Sequence, residues 1–516
     1  MTISKYTCGA LLLSLGLLGG CGEKFLEEAP SDQITDINFY KTETDAIQAV
    51  TASYSELTKE GQYNLALWGM DIMADISTTG GGGGSDGIEY TQLDDYNIPT
   101  TNPVANRLWG SCFIGIQRAN LVLQKVPAIT AIDPAIKQRC LGEAQFLRAK
   151  YYFDLVRAYG DVPLFTIPPG SPAAVNIPRT PAAQVYTQIE KDLADAFTNL
   201  PASYSGADLG RATKWAAAGL LAKVYITDPA GKKPEAAQWA LQVIKNSGKS
   251  LWASYGDNFK IANENGKESL FEVQYVSGRN GYERNNVGFC GNEFFAPRGS
   301  GTTPAGGGYG FNIPEPDFVS GYEAGDTRKA TTIWVPGDVY PAGSAVPAQL
   351  PQAPGSPFGF NCKKWFIGKV NTNIWDSGLN IPVLRLAEVY LILAEAVGPT
   401  GGPDGGLAAI NTVRRRAFGL PVGTPSPRDL TASTSNFTAA VLRERKYELA
   451  FEFDRWFDLK RYHGTPQGLI PVMTAQSAFL RTLGIQRGVP TARNLVLPIP
   501  QSELDANPAL KQNDGY

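Results

Sequence analysis

EAQFLRAKYYFDLVRAYGDVPL, residues 143–164, is the stretch on which the reading of this chain turns. Its polar residues Glu143, Lys150, Asp154 and Arg157 recur at helical spacing and define one narrow wet stripe. Phe146, Leu147, Tyr151, Tyr152, Phe153, Leu155, Val156 and Tyr159 occupy most of the rest. A surface helix needs only one apolar face, so a helix this greasy is expected between neighbours. Gly160 offers a left-handed stop and Pro163 blocks resumption. Ala149-Lys150-Tyr151-Tyr152 is echoed by Ala222-Lys223-Val224-Tyr225 and by Ala387-Glu388-Val389-Tyr390. Small Ala beside large Tyr on successive helices is the packing of stacked hairpins, which predicts a helical solenoid.

Working outward, 516 residues can bury a large core and permit two or three domains. The formal net charge is -3 with both signs mixed, and no basic run supports nucleic-acid binding. The 55 Gly and 36 Pro fall between helical segments, which implies long ordered loops. Lys5 followed by the apolar run 10–18 is too short to span a bilayer as a mature helix and reads as a signal peptide, residues 1–20. Small residues before Cys21 fit a bacterial lipoprotein cleavage box, in which Cys21 becomes the acylated N-terminus. Anchoring to a membrane rather than spanning it is therefore expected.

Cys112, Cys140, Cys290 and Cys362 remain, four thiols that allow three full pairings and are too scattered for a zinc site. His463 is the only histidine, so a histidine metal cluster is excluded. No metal or cofactor is called for.

Along the chain, helices are predicted over 44–57, 104–126, 134–159, 181–200, 213–227 and 234–245, with a short apolar segment at 68–76. Between 78 and 87 the sequence reads TTGGGGGSDG, which predicts a loop that continues to Pro103. Residues 268–276 alternate like a strand, and the chain to about 380 is rich in Gly, Pro and aromatics without helical period. Hairpin arms follow at 382–397 and 406–418, then one long charged helix at 437–462 and a strand-like piece at 495–499. The expected fold class is mainly α, a tetratricopeptide-like hairpin solenoid with a loop-rich insertion containing short strands. The expected regions are 21–270, the variable 271–380, and 381–516.

Four separated passages belong together: the tether FLEEAP after Cys21, the passage 148–164, IPVLRLAEVYLILAEA (381–396) with NTVR (411–414), and RERKYELAFEFDRWFDLKR (443–461) with LPIP (497–500). In this order they resemble the SusD/RagB family of surface nutrient-binding lipoproteins of Bacteroidetes. Lys24 stands where the family often has an acid, and Phe453 where it often has glycine. The resemblance implies four hairpins and a variable region, with no chemistry of the protein's own. It also implies an oligosaccharide or peptide ligand and a partner SusC-like TonB-dependent transporter in the outer membrane. The scaffold would meet the transporter and the loops would carry the ligand.

Sugars present apolar C–H faces rimmed by hydroxyls, so a glycan site wants flat aromatics and polar hydrogen bonders. The first loop offers Trp68, Asp75, Tyr90, Asp94, Tyr96 and Asn97. The second offers Arg279, Tyr282, Phe294, Phe295, Tyr309, Tyr322, Trp334, Trp365 and Trp375. The candidate ligand set is Trp68, Asp75, Tyr90, Tyr96, Arg279, Tyr282, Phe295, Tyr309, Trp334 and Trp375, beside Cys21 for lipidation. For each ring the competing reading is packing of its own loop. Glu448, Glu452 and Arg455 share a stripe, and paired carboxylates suit glycoside hydrolysis. Each acid has basic neighbours, however, and salt bridging is the expected role. A peptide-binding protein on the same scaffold and a lipoprotein hydrolase are the alternatives.

Overall fold

The computed structural model describes residues 39–83, 85–278, 287–299, 308–338, 356, 358–368, 373–432 and 436–516. Cys21, Arg279 and Tyr282 lie outside them.

Thr42 opens α1 (Glu43–Tyr54) with a capping box to Asp45. The apolar segment that follows is a tight 3-10 turn and the short α2 (Gly69–Ile72), leading into β1 (Ser77–Gly80) and α3 (Ile88–Asp94). The glycine-rich stretch is thus not all loop: its first residues pair as a strand, and Tyr90 and Asp94 sit on a helix. Asn102 caps α4 (Pro103–Lys125), and Asp133 caps α5 (Pro134–Tyr159), each with proline in the first turn. Then come α6 (Ala182–Asn199), α7 (Lys214–Thr227) and α8 (Lys233–Asn246). β2 (Ser269–Val273) leads into a region of short elements: α9 (Gly291–Phe295), β3 (Phe311–Pro314), α10 (Pro316–Ser320), α11 (Arg328–Thr332), β4 (Ile333–Trp334) and β5 (Asn361–Cys362). The chain then returns as β6 (Ile381–Arg385), α12 (Leu386–Val397) and α13 (Gly406–Ala417). Four further helices close it: α14 (Phe437–Glu448), α15 (Arg455–Lys460), α16 (Leu469–Thr482) and α17 (Gln501–Ala506).

The helices stack in chain order from α4 to α8, each on the next, and α12 then packs on α8 as though the intervening residues were absent. β2 and β6 pair antiparallel, Val273 opposite Ile381, and so bring the two ends of the insertion side by side. None of the described helices is long and apolar enough to cross a membrane.

Three further expectations need correcting. The stripe on α5 is not wet: Glu143, Lys150, Asp154 and Arg157 are all buried. Glu143 pairs with Arg211 at 2.9 Å, and Asp154 takes both Lys150 and Arg157. The charged positions of the echoes converge on the same interior network, where Lys223 reaches Asp454 at 2.8 Å and Glu388 at 3.0 Å. Residues 437–462 are not one helix either. The turn 449–454 divides α14 from α15 and holds Phe451 and Phe453 at φ 61° and 67°. Glycine accepts that left-handed backbone freely. Here Phe453 instead buries its ring against Tyr63, Phe295 and Trp365. The tail around 495–499 is a 3-10 turn, Ala492–Leu495, and extended chain rather than a strand.

Candidate functional site

β1 pairs antiparallel with β3, Gly80 opposite Phe311, and this ribbon carries the aromatic residues of both loop regions into one cluster. Its floor is closed. Trp68 lies 4.5 Å from Phe295 and 6.2 Å from Tyr90 between ring centroids, and Tyr90 lies 6.2 Å from Phe311. All four rings are buried. Their polar atoms are committed inward too: Trp68 Nε1 donates to the Tyr63 carbonyl at 2.9 Å and Tyr90 Oη to that of Leu65 at 3.0 Å.

Above this floor stand three partly open rings, Phe294, Tyr309 and Trp375. Phe294 is 5.1 Å from Tyr309 and 6.1 Å from Trp375, and the last two are 6.3 Å apart. Phe294 also rests on Trp68 and Phe311 at 5.3 and 5.8 Å, which fixes the open rings to the closed ones. Backbone bonds hold the strip in place: Tyr309 N donates to the Glu293 carbonyl at 2.8 Å and Gly310 N to that of Ala296 at 2.9 Å. Gly308 is required there, because a Cβ would stand 2.1 Å from the Ala296 carbonyl oxygen.

One ion pair borders the rings. Arg298 donates to Asp86 at 2.9 Å and to the Tyr309 carbonyl at 3.1 Å, while both charged side chains remain about a third or more exposed. Ile374, exposed, adjoins Trp375 in the chain. Beside Phe294, the Glu293 carboxyl is fully buried and takes Asn292 Nδ2 at 3.1 Å. Burial, helped by the charge of Asp376, raises its pKa to about 7.

Of the candidate ligand set, the structure brings Trp68, Tyr90, Phe295, Tyr309 and Trp375 into this cluster, and of these only Tyr309 and Trp375 are partly open. Tyr96 is buried and donates to the Met73 carbonyl at 2.7 Å. Asp75 is buried between Arg455 and Lys446, at 2.7 and 3.0 Å. Burial alone would raise its pKa, but the two cations hold it well below the usual carboxylate range. Trp334 is buried on β4 beside Phe366. These three are framework. Sequence reasoning missed Arg298 and Asp86, although Asp86 sits in the conspicuous glycine-rich stretch.

Glu448 and Glu452 are ion-paired as expected. Glu448 is buried between Arg385, Arg416 and Arg328, and Glu452 takes Arg385 and Lys364. Cys112, Cys140, Cys290 and Cys362 are free and buried. Among the described residues no group of His, Cys, Asp and Glu could hold a metal ion. An open groove of about 790 Å³ lies elsewhere, between α4, residues 163–176 and α17, lined by Trp109, Phe113, Phe165 and Leu510. Stacking on a sugar needs ring faces more than depth, so the triad is the better candidate.

Residues 267–516 match the family described as "SusD family", and residues 24–226 match one described as "Starch-binding associating with outer membrane". A SusD-like protein of Bacteroides ovatus is 30% identical over 475 residues, covering 86% of this chain and 80% of the relative. SusD-like protein P25 of Formosa agariphila is 27% identical and covers 95% of both chains. Among solved structures, a laminarin-binding SusD-like protein superposes with a TM-score of 0.75 at 29% identity, over 92% of this chain and all of the other.

Proposed function

The chain belongs to the SusD family, and from that premise we propose that it is a cell-surface glycan-binding protein whose rings Phe294, Tyr309 and Trp375 receive the sugar. The observation that carries this reading is the triad itself: three aromatic rings left partly open on a floor of buried rings. Flat rings take the C–H faces of a sugar at little entropic cost, and Arg298 and Asp86 stand ready for hydroxyls at the border. A relative of 29% identity that binds laminarin supports a glycan over a peptide. Binding without catalysis is the reading supported by the paired carboxylates of α14 and its following turn, which are committed to buried cations.

The finer reading is that Cys21 carries a lipid which holds the protein on the outer membrane, and that a SusC-like TonB-dependent transporter receives the ligand. Native electrophoresis through gels containing laminarin, starch or xylan tests the binding. Retardation by at least one polymer is expected, with Phe294→Ala and Tyr309→Ala each weakening it roughly tenfold. Unchanged retardation of both variants would remove the triad from the mechanism. Loss of the protein from the membrane fraction on deleting residues 1–21, and co-purification of a large transporter, test the anchor and the partner.

A further inference from the structure

Trp375 carries a conformational cost that its packing does not explain. Its φ of 55° lies in the left-handed region, where a bulky side chain is a true outlier. Tyr96, Phe451 and Phe453 share that backbone at φ 54°, 61° and 67°. All three are buried, so packing of the ring offsets the strain. Among the described residues Tyr40, partly buried at their start, is the remaining aromatic case. Trp375 is only partly buried, and so are its ring neighbours Phe294 and Tyr309.

Strain of this kind persists only where the surroundings over-determine the backbone. The two residues after Trp375 provide this. Ser377 exchanges backbone hydrogen bonds with Phe289, at 2.7 and 3.2 Å. Asp376 Oδ2 accepts the Gly278 N–H at 2.7 Å. Gly288 approaches so closely that a Cβ there would stand 2.6 Å from Asp376 Cα. Asp376 and Ser377 are buried, so the chain is pinned immediately after a tryptophan that is only partly buried.

We propose that Trp375 is a pre-set recognition residue, its backbone pinned in a strained conformation so that the indole stands beside Phe294 and Tyr309 before the sugar arrives. The inference rests on the triad being the glycan surface. A ring already fixed has little rotamer freedom left to lose on binding, and stability is given up in exchange. Asp376 is then a positioning residue acting through Trp375.

The test compares Trp375→Gly, Trp375→Ala and Asp376→Ala in the full chain, by thermal melting and by retardation in laminarin, starch and xylan gels. Glycine tolerates the left-handed backbone and alanine does not, so the Gly variant is expected to melt roughly 1–2 °C above the Ala variant. Both should lose roughly 30-fold in affinity. Asp376→Ala, which keeps the indole but removes a pin, should bind several-fold more weakly than the parent. A Gly variant that melts at or below the Ala variant overturns the inference, as does an Asp376→Ala protein with parental affinity. Retardation lost in Tyr309→Ala but kept in both Trp375 variants overturns it while leaving glycan binding intact. A parent retarded by none of the polymers overturns the glycan reading and this inference with it.

Discussion

Glu293 shows what burial does to one side chain. Its carboxyl holds a proton up to about pH 7, whereas in the unfolded chain it ionises near its ordinary value of 4.5. The native state therefore binds the extra proton between those values. The resulting stability is complete below about pH 4.5 and is lost as the pH rises through 7. The amount at stake is at most about 3 kcal/mol. Glu293→Gln, neutral throughout, should melt with a flatter pH dependence than the parent between pH 5 and 8; an unchanged slope would contradict the assignment. Which residues would be open was only partly legible at this scale. Composition pointed to aromatic loops, and Tyr309 and Trp375 are open. Trp68, Tyr90, Phe295 and Trp334 have the same composition but face inward, because a loop without a period gives no sign of which side faces the solvent. Phe453 stands where the family often has glycine, and the structure gives it a left-handed backbone, a consequence that the substitution alone did not announce.

At the scale of elements, the hairpins were legible because their apolar period is long and their caps are strong, as at Asn102-Pro103 and Asp133-Pro134. The break at 449–454 was not, since the charged and apolar positions of 437–462 keep helical spacing across it and the two left-handed residues leave no trace in that period. The wet stripe of α5 failed for a related reason. Periodicity separates polar from apolar faces, but cannot tell a face turned to water from one turned to other charges. How closely α4 and α5 approach rests on Gly115, where a Cβ would stand 2.3 Å from the Tyr151 ring. Tyr151 is itself tied to the Ser53 carbonyl at 2.7 Å and has little room to retreat. Gly115→Ala is expected to destabilise the protein by about 1–3 kcal/mol despite its better helix propensity. A urea midpoint equal to or above that of the parent would show that the helices separate more readily than the packing suggests.

Across the whole molecule, a buried ion network joins the insertion to the scaffold. Glu448 on α14 meets Arg385 of β6 at 2.9 Å and Arg328 of α11 at 3.3 Å, together with Arg416 of α13. Glu268, ahead of β2, takes Arg385 at 2.9 Å and Arg416 at 3.0 Å. Buried pairs of this kind add little net stability when complete, yet removing one partner strands the others in low dielectric. Glu448→Ala should therefore cost about 3–5 kcal/mol, read from chemical denaturation. A loss below 1 kcal/mol would mean that water reaches the arginines.

Synthesis delivers the partners of Glu268 late. Arg385 lies 117 positions further along the chain and Arg416 lies 148. A nascent chain emerging N-terminus first holds the unpaired edge of β2 and a Glu268 carboxylate without its two arginines while the entire insertion is made, and closing so long a loop is slow. The first 270 residues are thus half of a clasp rather than a finished unit, and a ribosome stalled before residue 381 would display a protease-sensitive intermediate that only β6 can latch.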